Sequence, residues 1–149
     1  MGKNTRSSFS TQNTQGKLQI EEVPKETQAV VLTAPKTYGF GKNIVREPGE
    51  DEVVVKVNST AINPTDIQLL KGMYNVKVSY PYTPGWEGSG VIVKVGSAKN
   101  AHRLGTKVGF LRPVETTHFS KLGAYADYCT TDSHLCIDMP EGVTFEQAS

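Results

Sequence analysis

Cysteine is scarce in this 149-residue chain: Cys129 and Cys136 are the only two. Two are too few for a disulfide scaffold or a cysteine-cluster zinc site. Long apolar runs are missing as well. None exceeds five residues, against the ~20 that a membrane-spanning helix needs. Neither sign of charge is in excess, with 16 basic and 15 acidic residues and a net charge of +1. That balance excludes a polybasic nucleic-acid binder, a membrane-surface protein and an acidic disordered tail. The sequence contains no G-x-G-x-x-G fingerprint, no Walker loop and no internal repeat. It is rich instead in turn formers, with 14 glycines and eight prolines. Its length suits one domain with a sizeable core.

Charge is unevenly placed. Lys3, Arg6 and Lys17 lie in the first 20 residues without an acid, whereas 12 basic and 12 acidic residues balance from Thr27 onward. Residues 1–26 have almost no apolar periodicity and read as a disordered tail, because they offer little burial against their ordering entropy. A basic, Ser/Thr-rich start also fits a mitochondrial transit segment, with processing near residues 6–11. The Met1-Gly2 start fails as a myristoylation signal, since Arg6 stands where Ser or Thr is required. The body is therefore assigned to residues 27–149. Its compartment is read as cytoplasmic, with mitochondrial as the alternative.

The body reads as short strands. Gln28–Leu32 is an apolar run, and Glu52–Thr60 alternates, with Val53, Val55 and Val57 on one face. Glu47-Pro-Gly-Glu-Asp51 has the composition of a hairpin connection. Further strands are expected at Val91–Val95, Lys107–Phe110, Ala124–Thr130 and Cys136–Asp138. Short strands between Gly and Pro turns indicate a sandwich or a barrel. Asn63-Pro64 predicts a helix start, with Asn as N-cap, Pro at N1 and Asp66 in the first turn. That helix should stop at Gly72. Thr144-Phe-Glu-Gln147 has capping-box form, with little chain behind it.

Six segments occur in a telling order: Ala61-Ile-Asn-Pro-Thr-Asp66, Lys71-Gly-Met-Tyr74, Pro84-Gly-Trp-Glu-Gly-Ser-Gly90, Val93-Lys-Val-Gly96, Gly123-Ala-Tyr-Ala-Asp-Tyr128 and Met139-Pro-Glu-Gly142. Together they resemble the N-terminal, GroES-like domain of the medium-chain dehydrogenase/reductase superfamily, in its quinone oxidoreductase and enoyl reductase branch. The resemblance covers residues 28–148. It implies a mainly β fold, a partly open barrel with short helices, followed in family members by a Rossmann domain that binds NADPH. That second domain lies outside this sequence.

The resemblance also bears on chemistry. Zinc-dependent members carry Cys where Asn63 stands and His where Trp86 stands, and neither an amide nor an indole replaces those ligands. The expectation is a zinc-free site, with Glu87 as a structural carboxylate. Asn63 and Tyr74 are the candidate catalytic residues, and Asp66 and Gln68 the candidate substrate-cleft residues. Tyr74 matches a cleft tyrosine of the branch and could protonate an enolate after hydride addition. Gln68 departs from the tyrosine common in quinone reductases. The implied function is the substrate side of an NADPH-dependent reductase of quinones or α,β-unsaturated carbonyl and enoyl compounds. The chain alone is expected to bind no cofactor. Its expected partners are small-molecule substrates, with neither nucleic acid nor membrane, and homo-oligomerisation is left open. The alternative is a non-catalytic binding or assembly module of the same fold.

Overall fold

The computed structural model describes residues 11–12, 18–115 and 117–149. Among the described residues eleven strands and two α-helices run in chain order: β1 (Thr11–Gln12), β2 (Leu18–Gln19), β3 (Glu26–Ala34), β4 (Thr37–Ile44), β5 (Glu52–Ser59), α1 (Pro64–Leu70), β6 (Lys77–Val78), β7 (Glu87–Val95), β8 (Lys107–Leu111), β9 (His118–Phe119), β10 (Tyr128–Asp132), β11 (Cys136–Asp138) and α2 (Phe145–Ala148). Short 3-10 turns at Ala98–Arg103 and Ser133–Leu135 complete the list. The fold is mainly β, as expected, and its sheets stay open rather than closing into a barrel.

Strand β7 is the hub. It pairs with β5 along one edge, and along the other with β8 through Glu87–Val91 and with β2 through Lys94 and Val95. β10 adds to β5 and β11 to β8, all antiparallel. The Val-rich alternation of β5 and β7 drives this arrangement, since each buries a face of β-branched side chains. Val53, Val55, Ile92, Val95, Val108, Phe110, Ala124, Cys129 and Cys136 form the resulting core. Val54 is buried too, because β5 is covered on both faces. Burial pushes the Cys129 and Cys136 thiols up to about 12, which keeps both protonated and inert.

Three expectations shift. The stretch Glu47–Asp51 does not join paired strands. The hairpin is β3–β4, turning at Pro35 and Lys36, where Lys36 takes φ 63°. Strand β4 lacked an alternating apolar signal because nearly all of its side chains are exposed and Asn43 alone is buried. Second, residues 18–26 belong to the fold: Leu18 packs on the core, Ile20 N–H donates to the Val93 carbonyl at 2.9 Å, and Glu21 pairs with Lys56. The remaining tail expectations, on residues 1–10 and 13–17, fall outside the described residues. Third, α2 is a single turn held by tertiary contacts. Its Thr144–Gln147 capping box is formed, and Ser89 Oγ donates to the Phe145 carbonyl at 2.6 Å. No helix among the described residues is long and apolar enough to cross a membrane.

Candidate active site

Helix α1 forms where Asn63-Pro64 directs it. Asn63 is the N-cap in extended backbone, and its N–H donates to Asp66 Oδ2 at 2.9 Å. The helix ends at Lys71, and Gly72 follows with φ +64°, a conformation that favours glycine. The Asn63 side chain also reaches a second partner. Its amide Nδ2 donates to Glu87 Oε1 at 3.0 Å, joining α1 to the first residue of β7. Glu87 thus has the hydrogen bond that a half-buried carboxylate requires.

Next to Glu87, Trp86 is aimed by the Pro84-Gly85 turn. Gly85 has φ +108°, and a Cβ there would lie 2.7 Å from the Tyr125 backbone nitrogen, so only glycine fits. Ala124 N–H and Tyr125 N–H donate to the carbonyls of Gly85 and Pro84 at 3.0 and 2.9 Å, fixing the crossing. The Trp86 indole meets the Tyr74 ring edge-on at 5.9 Å and that of Phe119 at 5.4 Å. Phe119 also stacks with Tyr74 and Tyr82, each at 6.0 Å. With Leu32 and Leu69 these rings make a second apolar cluster, beside α1.

Arg112 lies within that cluster, 2% exposed. Its guanidinium carbon lies 4.2 Å from the Trp86 ring centroid and 4.0 Å from that of Phe119, a desolvated cation–π arrangement. Nη1 donates to the Pro113 carbonyl at 2.8 Å, and Glu115 stands 3.7 Å away. Glu115 is held in turn by Ser120 and by the Lys121 N–H.

The four sequence candidates are thus placed differently. Tyr74 is half-buried against Trp86 and Phe119, and Asn63 reaches the same region through Glu87, the neighbour of Trp86. Asp66 is 0% exposed beneath α1. Burial pushes its carboxyl above the usual aspartate range, against the pull of the Asn63 N–H on Oδ2. Gln68 is exposed on α1, and its side chain makes no hydrogen bond. Sequence reasoning missed Arg112, Tyr82 and Phe119. The crowding of Tyr74, Tyr80, Tyr82 and Trp86 around Pro81 and Pro84 was the available signal for an aromatic cluster. Nothing local announced that an arginine 26 residues beyond Trp86 would enter it.

Among the described residues no group of three or more His, Cys, Asp or Glu side chains could hold a metal ion. At the two positions that matter, the donors are an amide committed to Glu87 and an indole N–H, which has no lone pair to give. A pyrophosphate cradle is also missing among the described residues. The only parallel pairing among the described residues is the two-residue β6–β9 contact, so no helix links two parallel strands as in a dinucleotide-binding unit.

Residues 49–141 match the alcohol dehydrogenase GroES-like domain. The chain belongs to that family. Its superfamily is that of the medium-chain dehydrogenases/reductases. Human quinone oxidoreductase is 31% identical over 102 residues, which are 68% of this GroES-like chain and 29% of the relative. An alcohol dehydrogenase of Schizosaccharomyces pombe is 29% identical over 147 residues, 84% of this chain and 42% of that enzyme. Among solved structures, the quinone oxidoreductase from Coxiella burnetii superposes with a TM-score of 0.68 at 22% identity, covering 83% of this chain and 40% of that one. This GroES-like domain therefore spans less than half the length of each of these relatives.

Proposed function

We propose that this GroES-like domain supplies the substrate side of a zinc-independent, NAD(P)H-dependent oxidoreductase that reduces quinones or α,β-unsaturated carbonyl compounds. The observation that carries the reading is the Asn63–Glu87 hydrogen bond beside Trp86 and Tyr74. By the family resemblance, an amide and an indole stand where zinc-dependent members carry a thiolate and an imidazole, and a phenol lies in the same cluster, which supports a zinc-free site. The names of the relatives, quinone oxidoreductase and alcohol dehydrogenase, support the oxidoreductase class.

The nicotinamide, when bound, supplies hydride. The described residues do not fit its phosphates. Their own part is to bind and to move a proton. The half-buried rings of Tyr74 and Trp86, set edge to face over the buried Phe119, offer an apolar wall to a planar enone or quinone. The Tyr74 hydroxyl donates a proton to the oxygen or α-carbon that gains negative charge. Asn63, fixed by Glu87, and Asp66, fixed under the helix, hold α1 at the edge of that wall.

The test is kinetic. In a protein where this chain is followed by a cofactor-binding unit, Tyr74→Phe lowers kcat by ~10²–10⁴-fold and changes KM much less, since a proton donor acts mainly in the transition state. A turnover unchanged across the pH range overturns the role. The 149-residue chain alone is expected to bind no NADPH, and saturable micromolar enhancement of NADPH fluorescence would contradict that.

A further inference from the structure

One edge of the fold is open in a regular way. In β3 the even-numbered residues turn their backbone groups away from β4. Val30 N–H donates to the Tyr125 carbonyl at 2.9 Å, Leu32 N–H to that of Tyr82 at 2.7 Å, and the Gln28 carbonyl accepts from Asp127 N–H at 3.0 Å. The alternation of an antiparallel ladder then makes Thr27–Asn43, Ala29–Gly41 and Val31–Gly39 the hydrogen-bonded pairs. It follows that the N–H and C=O groups of Tyr38, Phe40 and Lys42 point outward. Beyond them Asn43 Oδ1 accepts from the Ile44 N–H at 2.9 Å, which closes the open stretch.

The side chains of this edge share one face. Tyr38 is 53% exposed, Phe40 99% and Ile44 65%. Edge strands are normally blunted by a central charge, a proline or a bulge. The centre of this one is a phenylalanine between two glycines.

We propose that the β4 edge is the seat of a second copy of this chain, the two β4 strands pairing antiparallel across a twofold axis at Phe40. The pairing extends each hairpin into a four-stranded sheet. The twofold match of the outward groups selects the occupant, and charge selects the register. An axis at Phe40 sets that residue against its own copy, and sets Tyr38 against Lys42 of the partner subunit. Every cation therefore meets an aromatic ring or an apolar side chain. An axis at Lys42 would set two ammonium groups face to face, which is destabilising. The three outward positions coincide in this register, so each pair exchanges two backbone hydrogen bonds, about six in all. The contact is self-complementary, as a closed dimer requires.

Sedimentation velocity on the 149-residue chain from about 1 to 100 μM, with amide hydrogen exchange at both ends of that range, tests this assignment. The expected result is a monomer–dimer equilibrium in which the Tyr38, Phe40 and Lys42 amides gain protection as the dimer forms. The Gly39 and Gly41 amides, bonded within the hairpin, stay protected throughout and serve as the control for folding. Phe40→Lys brings two ammonium groups to the axis and weakens association roughly tenfold or more. Phe40→Pro removes one outward donor, leaves the β3 ladder intact, and has the same direction of effect. A chain that stays monomeric overturns the proposal, whether or not another protein binds the edge. So does a dimer that survives Phe40→Lys, or one whose Tyr38, Phe40 and Lys42 amides exchange freely.

Discussion

The two apolar clusters of this GroES-like domain are built on opposite terms. The sheet core of Val53, Ile92, Val95, Val108 and Phe110 is aliphatic save for one ring, and its neighbouring buried carboxylate is fully answered. Glu52 takes both terminal nitrogens of Arg46 at 2.6 Å and the Gly49 N–H at 2.7 Å, and the Arg46 hydrogen bond holds its carboxyl below the usual range. The aromatic cluster beside α1 holds a cation and borders a carboxylate, yet leaves polar atoms unanswered. Asp66 Oδ1, Tyr82 OH and Arg112 Nη2 are buried there without a hydrogen-bond partner. Unpaired buried groups cost stability, and proteins retain such costs most often where a site does its work. The difference separates a region that holds the fold from the region in which the proposed site lies.

The sharpest way to break the comparison is to open the aliphatic side. Ile92→Ala, at a fully buried position, should lower unfolding free energy by ~2–5 kcal/mol, read from urea denaturation. A smaller loss would mean that the sheet core is less tightly packed than its burial indicates. On the aromatic side the sign should reverse. Tyr82→Phe removes a hydroxyl that has no partner and keeps the ring stack on Phe119, so a gain of about 1 kcal/mol is expected. A loss of that size would show that the hydroxyl is bonded in solution.

The smallest effects are those of pH, and the two carboxylates should pull oppositely. Glu52 has a lowered folded pKa, so its contribution is present above the ordinary carboxylate range and is lost as pH falls through the lowered value. Asp66 has a raised folded pKa, so the native state holds the proton more tightly, and stability falls as pH rises from the usual aspartate range through the raised value. Urea midpoints between about pH 3 and 8 check both. Asp66→Asn should flatten the decline toward neutral pH, and Glu52→Gln should remove part of the acid loss. A single slope shared by both variants would erase the distinction.

What the sequence disclosed follows the same division. Strands β5, β7, β8 and β11 and both helix caps were legible because period-2 valines and Asn-Pro or Thr-x-x-Gln signals are local. Strand β4 was not, since Tyr38, Gly39 and Phe40 are all exposed and only Asn43 of the strand is buried, so no apolar alternation marks it. Asn63 and Tyr74 were singled out by their motifs as candidates, and the structure brings them to neighbouring residues, Glu87 and Trp86. Asp66 was placed in a cleft and lies buried, because a first-turn carboxylate reads alike whether it caps or catalyses. Arg112 depends wholly on tertiary packing and left no local mark.

The Ser89 bond to the last helix has a mechanical side. Ser89 Oγ grips the Phe145 carbonyl, and Ser59 Oγ touches Ser149 Oγ at 3.1 Å, so the C-terminal turn is riveted to both β7 and β5. Two residues before Ser89 stands Glu87, whose carboxylate holds Asn63. A pull on α2 is thus a pull on the strand that sets the amide in place. Tension at the end of the chain and alignment at its site are borne by one lever, nine residues long.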